Sequence, residues 1–408
     1  MRMKSRWVRG AVAGLAVGLW SGCINSSKTP SNTSLMWIAT QGDQKVRTYN
    51  INQDNGSIAL VGNGAPAATG VQPVQMVITP DAKTMFIANS GANGTAGSIT
   101  AYTVNGDGTL AASGSGTAAG ETPIALAIDS TGKFLFVANQ GTSSDVASGT
   151  ISVFSVSDTS LTEVAGSPFP TALAGEVSGT GPSAVAASPA GNFVYVANAF
   201  NNTVESFSYD TTSGALTFIN EYGAGANPSG LAFSRCAGVS SSSATPTCAA
   251  ADAINLFVAN SGSNNMSIFA ACIQVSATCA SPNGTLAQIS SGSPVAAGVG
   301  PATVLINPTS DFVYVVDRGS NQVSGFQYSP ATGALTSLGG AVSGGASVFS
   351  GGITANVANN SNTFNWVVVS NNGASSVSAF RVNATGKLVA LTSGPFAVQG
   401  QPSAILIH

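Results

Sequence analysis

Apolar residues along the chain fall into short runs separated by glycine-containing turns, and the runs repeat. A strand-like segment closing on Val-Ala-Asn or a variant of it occurs as MFIANSG (85–91), FLFVANQG (134–141), FVYVANAF (193–200), LFVANSG (256–262) and FVYVVDRG (312–319). Weaker copies are MWIATQG (36–42) and WVVVSNNG (366–373). Their closing residues align as Thr40, Asn89, Asn139, Asn198, Asn260, Asp317 and Asn371, with successive separations of 49 to 62 residues. Self-similarity at such a period marks a chain built from stacked supersecondary units. Asn and Asp suit a strand end because their side chains can cap the turn that follows.

A second alternating segment follows each of these: VRTYNI, ITAYTV, ISVFSV, VESFSY, MSIFAA, VSGFQY and VSAFRV. Apolar–polar alternation predicts half-buried strands. The aligned aromatics Tyr49, Tyr102, Phe154, Phe207, Phe269, Phe326 and Phe380 are expected to pack between neighbouring sheets. Hairpins of the form Gly-x-Leu lead to a fourth strand, as at Gly108–Leu110 and Gly284–Leu286, because glycine supplies the positive φ of such turns. Ahead of each unit lies an apolar first strand, as in VQMVI (74–78), IALAI (124–128), SAVAA (183–187), SGLAF (229–233), ATVLI (302–306) and SAILI (403–407). Seven repeats of four strands with almost no helical period predict an all-β fold, a seven-bladed β-propeller over residues 35–408. The body opens on a second strand and closes on an unpartnered first strand at 401–407, so the C-terminal strand is expected to complete the N-terminal blade and hide two sheet edges.

The FVYVAN strands, proline-initiated first strands and Gly-x-Leu hairpins resemble those of the YVTN-type and lactonase-like seven-bladed propellers, across essentially the whole body. That resemblance implies the propeller fold. It also points to a family that includes 6-phosphogluconolactonases and fungal muconate cycloisomerases beside surface and binding proteins. The shared motifs are structural, so they specify the fold more than any one reaction.

Residues 1–22 add an address. Four basic residues (Arg2, Lys4, Arg6, Arg9) precede a short apolar stretch at 10–19, too short to span a bilayer, which ends in Ser21-Gly22-Cys23. The segment resembles a bacterial lipoprotein signal, with Trp20 where an aliphatic residue is usual. Cys23 is expected to carry lipid, and 23–34 to be a polar tether holding the body at a membrane of the cell envelope, outside the cytoplasm. The remaining cysteines, Cys236, Cys248, Cys272 and Cys279, lie close together without a C-x-x-C pair or a nearby His. They predict two disulfides in an oxidising compartment, expected to pair locally as Cys236–Cys248 and Cys272–Cys279, with the crossed pairings left open by the spacing.

Charge narrows the function. Only 7% of residues are charged, and beyond Cys23 there are 9 basic against 16 acidic residues, net −7. Such a body cannot neutralise a run of phosphates, which excludes nucleic acid as a partner. No metal-site, P-loop or nucleophile-elbow spacing occurs, and no cofactor is expected. In a propeller the first strands line the central channel, and the loops from fourth to first and from second to third strands gather on the face that carries the site. Candidates near the channel mouth are Glu121 and Asp317 as bases, Arg318 as a cation able to hold a carboxylate or phosphate, and Gln75 and Glu176 as ligand contacts. Lactone-processing relatives are understood to use a His with Arg and Glu, but the one histidine here is the terminal His408, so that set does not carry over. The expectation is a monomeric binding scaffold for a glycan, peptide or envelope partner. The alternative is a lactonase-like hydrolase acting on a sugar lactone.

Overall fold

A computed structural model describes residues 33–408 apart from 63–64, 92–96, 143, 146, 173–178, 235–252, 277–278, 290–292, 310, 355–356 and 360–361, and the backbone alone of 357–359 and 362–364. The expected lipid site Cys23, the pair Cys236 and Cys248, and Glu176 lie outside the described residues.

Among the described residues, seven antiparallel four-stranded sheets follow one another along the chain. Blade 1 opens with Thr33–Thr40, two residues ahead of the expected boundary, and takes its inner strand from the other end of the chain. Pro402–Ile407 pairs antiparallel with Thr33–Thr40, placing Met36 opposite Ile407 and Ala39 opposite Ala404. The expected closure is thus observed. The remaining inner strands are Pro73–Ile78 (blade 2), Pro123–Ile128 (blade 3), Pro182–Ala187 (blade 4), Pro228–Phe233 (blade 5), Pro301–Ile306 (blade 6) and Val348–Ile353 (blade 7). The last one lacks the initiating proline and is absent from the first strands legible in the sequence.

The core is a ring of interfaces rather than a single centre. Each of seven apolar clusters joins two neighbouring blades; one packs Phe134, Phe136 and Ile151 of blade 3 against Val194, Val196 and Phe207 of blade 4. The closing interface sets Met36, Ile38 and Ile405 of blade 1 against Trp366 and Val368 of blade 7. All seven third-strand aromatics are buried, between 0% and 7% exposed, as their register predicts. Each large ring removes apolar surface worth about 1.5–3 kcal/mol from water. Polar tips of core aromatics also latch blades together. Tyr195 donates to the Gly284 carbonyl at 2.9 Å, Tyr314 to Gly386 at 2.7 Å, and the Trp37 indole to Gly108 at 2.8 Å. Those glycines hold φ between +77° and +83°, and their carbonyls turn toward the preceding blade.

The strand-end Asn residues were expected to cap the turns that follow; their side-chain amides instead bond across to the third strand. Asn139 is buried and donates from Nδ2 to the third-strand hydroxyls of Ser152 (3.0 Å) and Thr150 (3.1 Å). Asn89 pairs likewise with Thr100, Asn260 with Ser267 and Asn371 with Ser378. Each amide lies against a glycine of the loop entering its blade, where a side chain has no room: a Cβ at Gly120 would stand 2.5 Å from Asn139 Nδ2.

Five outer strands are broken into two short pieces; those of blade 2 (Leu110–Ala118) and blade 4 (Leu216–Gly223) are continuous. Cys272 and Cys279 form a disulfide, as expected, in the third-to-fourth-strand connection of blade 5. Its loop carries Ile273, 1% exposed, into the interface with Phe193 and Tyr195 of blade 4. No helix among the described residues is long and apolar enough to cross a membrane.

Candidate functional site at the channel mouth

The seven inner strands surround a cavity of about 290 Å³. Its wall follows from a repeated irregularity: in each blade the register between first and second strands shifts just where the inner strand begins, as between Pro228 and Gly230 or Pro301 and Thr303. Such a bulge re-aims the residue it contains. The residue after the proline therefore stands at the channel: Val74, Ile124, Ser183, Ser229, Ala302 and Ser403, with Phe349 in blade 7.

The serines of this ring join the inner strands. Ser183 donates to the Pro228 carbonyl at 2.6 Å, Ser229 to Pro301 at 2.7 Å and Ser403 to Pro73 at 2.6 Å, each reaching the following blade. Gln75 does the same with an acceptor, its Oε1 taking the Leu126 backbone N–H at 2.5 Å. The strands approach so closely that a Cβ at Gly230 would sit 2.1 Å from the Ala302 carbonyl oxygen.

Arg318 supplies the charge. It follows the second strand of blade 6 (Phe312–Asp317), is exposed, and lines the cavity with its guanidinium carbon 3.8 Å from the centroid of the Phe349 ring. That stack is a cation–π contact, which covers one face of the plane and fixes its orientation. Arg318 takes part in neither of the ion pairs seen between described residues, Arg47–Asp43 and Lys83–Asp81.

Asp317, next in the chain, behaves differently from its expected role. It is 0% exposed and turned into blade 6, occupying the position that Asn holds in other blades. Its carboxylate accepts from Ser324 Oγ at 2.6 Å and from the Gly298 backbone N–H. Burial outweighs those bonds and pushes its pKa up to about 6. Glu121 is exposed in the loop entering blade 3 and does not line the cavity. Of the residues singled out from sequence, the structure thus brings Gln75 and Arg318 together at the mouth, and sets Asp317 and Glu121 apart from it. Phe349, Thr303, Ser350 and the serine ring were missed. The one available signal for Phe349 was the repeat spacing, which demands a first strand near residue 350.

Two hollows of about 390 and 380 Å³ lie between outer hairpins, beside Lys387 and beside the disulfide. Among their described lining residues, Lys387 is the charged group of the first and the second has none, so neither gathers a set of chemical groups. No cluster of three or more His, Cys, Asp or Glu able to hold a metal occurs among the described residues.

Solved structures similar to the chain share this architecture. A Bacteroides fragilis protein whose 6-phosphogluconolactonase name is provisional superposes with a TM-score of 0.68 at 17% identity, covering 93% of this chain and 99% of that one. The periplasmic gluconolactonase of Pseudomonas aeruginosa gives 0.65 at 19% identity, with 92% and 99% covered. A functionally unknown protein from Desulfotomaculum acetoxidans gives 0.58 at 16% identity, again with 92% and 99% covered. At these identities the likeness speaks for the fold alone. No curated protein matches the chain. The family description "Lactonase, 7-bladed beta-propeller" matches residues 32–166, 147–239 and 251–402, nearly the whole body. With the repeat, the ring closure and this match in agreement, the chain belongs to the seven-bladed β-propeller lactonase family.

Proposed function

We propose that the chain is an exported, lipid-anchored member of this family that binds a small ligand at the channel mouth and does not hydrolyse it. One observation carries the reading: the charged group lining the cavity among the described residues is a guanidinium, while the adjacent carboxylate of Asp317 is buried in the blade. Opening a lactone requires a base within hydrogen-bond reach of the attacking water, and stabilisation of the oxyanion that forms. Arg318 meets the second need; among the described residues lining the cavity there is no carboxylate or imidazole for the first. Export is supported by the basic, apolar, Ser21-Gly22-Cys23 sequence of the N-terminus and by the Cys272–Cys279 disulfide, which persists in oxidising compartments.

Family membership favours a second reading, a sugar-lactone hydrolase with Glu121 as base from the rim. The two separate in one assay. Purified protein is incubated with 6-phosphogluconolactone and with its unphosphorylated counterpart, beside the Glu121→Gln and Arg318→Ala variants. The binding reading expects ring opening at the rate of buffer alone. Turnover well above that rate, collapsing in either variant, makes the protein a lactonase.

A further inference from the structure

Resting on the channel-mouth reading, we propose that the ligand is a monoanionic carboxylate with an apolar body, its two oxygens held in the fork of Arg318. The geometry of that side chain comes first. Phe349 covers one face of the guanidinium, so the edge that carries its N–H groups is what remains to meet a ligand in the cavity. A planar, pre-oriented row of donors matches a carboxylate in two parallel hydrogen bonds. Taking part in neither ion pair seen between described residues, the cation is available to a bound anion.

The rest of the wall selects the body of the ligand. Val74, Met76, Ile124 and Leu231 present apolar surface to the cavity. One guanidinium balances the charge of a monoanion but leaves a phosphate dianion half neutralised, and the cavity has Arg318 as its cation among the described residues. A sugar calls for many donors and acceptors. The hydroxyl protons of Ser183, Ser229 and Ser403 are already given to proline carbonyls, and Gln75 Oε1 is taken by Leu126. Those serine oxygens can still accept, but the side-chain donors left beside Arg318 among the described residues are the Gln75 amide nitrogen and the hydroxyls of Thr303 and Ser350. They suffice for a carboxylate and one further polar group, not for a polyol.

Calorimetric titration of the purified protein with benzoate, benzamide and inorganic phosphate tests this. The variants are Arg318→Lys, which keeps the charge but loses the fork and the stack, and Ala302→Phe, which fills the channel mouth; melting curves establish that both fold. The expected result is benzoate binding that weakens at least tenfold in Arg318→Lys and disappears in Ala302→Phe. Benzamide should bind at least tenfold more weakly than benzoate, and phosphate should not displace it. Equal affinity for benzoate and benzamide, unchanged benzoate affinity in Arg318→Lys, displacement by phosphate, or no benzoate binding would each overturn the carboxylate assignment. If a neutral probe binds and is lost in Ala302→Phe alone, the cavity reading survives that failure. Benzoate binding that persists in Ala302→Phe contradicts both.

Discussion

Asp317 stands where other blades carry Asn, and the substitution changes charge while leaving shape almost untouched. Nothing cationic among the described residues compensates its carboxylate; hydrogen bonds from Ser324 and Gly298 do, and burial still holds its pKa near 6 against an ordinary 3.8. The sign of the linkage follows. Between those two values the native chain holds a proton that the unfolded chain has released, so stability falls as pH rises from about 4 through 6. Asp317→Asn restores the pairing seen between Asn371 and Ser378. It is expected to stabilise the protein by about 1–2 kcal/mol at pH 7–8, with the gain vanishing below pH 4. Urea unfolding across that range checks it; a variant less stable than the parent at pH 8 would refute the account. The sequence displayed both partners of this pairing, since Thr100, Ser152, Ser267, Ser324 and Ser378 recur two residues before the aromatic. What hid it was register: only once two strands are aligned does a strand-end Asn face a hydroxyl on its neighbour rather than the turn ahead. Blades 1 and 4 depart with Arg47 and Glu205 at that place. Arg47 is buried and bonded to Asp43, Gln399 and Thr40, which ties blade 1 to the segment entering its inner strand.

At the scale of strands and loops, a blade is stable only against its neighbours, and the Cys272–Cys279 loop shows how a connection serves an interface. A Cβ on Gly191 of blade 4 would lie 3.0 Å from the Ile273 carbonyl, and Ile273 itself is buried beside Phe193. The cross-link restrains this loop in the unfolded chain and keeps Ile273 seated in the folded one. Replacing both cysteines by serine is expected to cost about 2 kcal/mol, the loop-closure entropy of so short a ring. An unchanged urea midpoint after the exchange, or after reduction of the parent, would show that the loop packs without its bridge. Second and third strands were legible because their apolar alternation is long enough to read. The outer strands were less so: pieces such as Ala67–Ala68 and Val342–Ser343 are two residues long and carry no period. The inner strand Val348–Ile353 was obscured by two glycines and a missing proline, and with it went Phe349, the partner of the site's cation.

For the whole molecule, one strand at the chain end closes the ring. Deleting residues 402–408 removes the inner ladder of blade 1 and uncovers Met36 and Ile38. The expected outcome is cooperative loss of the entire body at a much lower temperature, since an open ring leaves an unpaired edge and an unfilled interface. A truncated chain that melts with the parent would mean that closure contributes nothing. Ring size and closure could be read from sequence because a body that opens on a second strand and ends on a first has one way to pair them. The site could be read only in outline, as Arg318 and Gln75. It is assembled from inner strands of seven blades, and no spacing in the chain encodes that convergence. The ligand is expected at the channel mouth, and not at a blade edge or on the opposite face. The most direct measurement is a crystal structure after soaking with mixed small carboxylates and sugars. The account predicts density between Arg318, Gln75, Thr303 and Ser350. Ligands found reproducibly on the outer strands or the opposite face, with only solvent at the mouth, would contradict it.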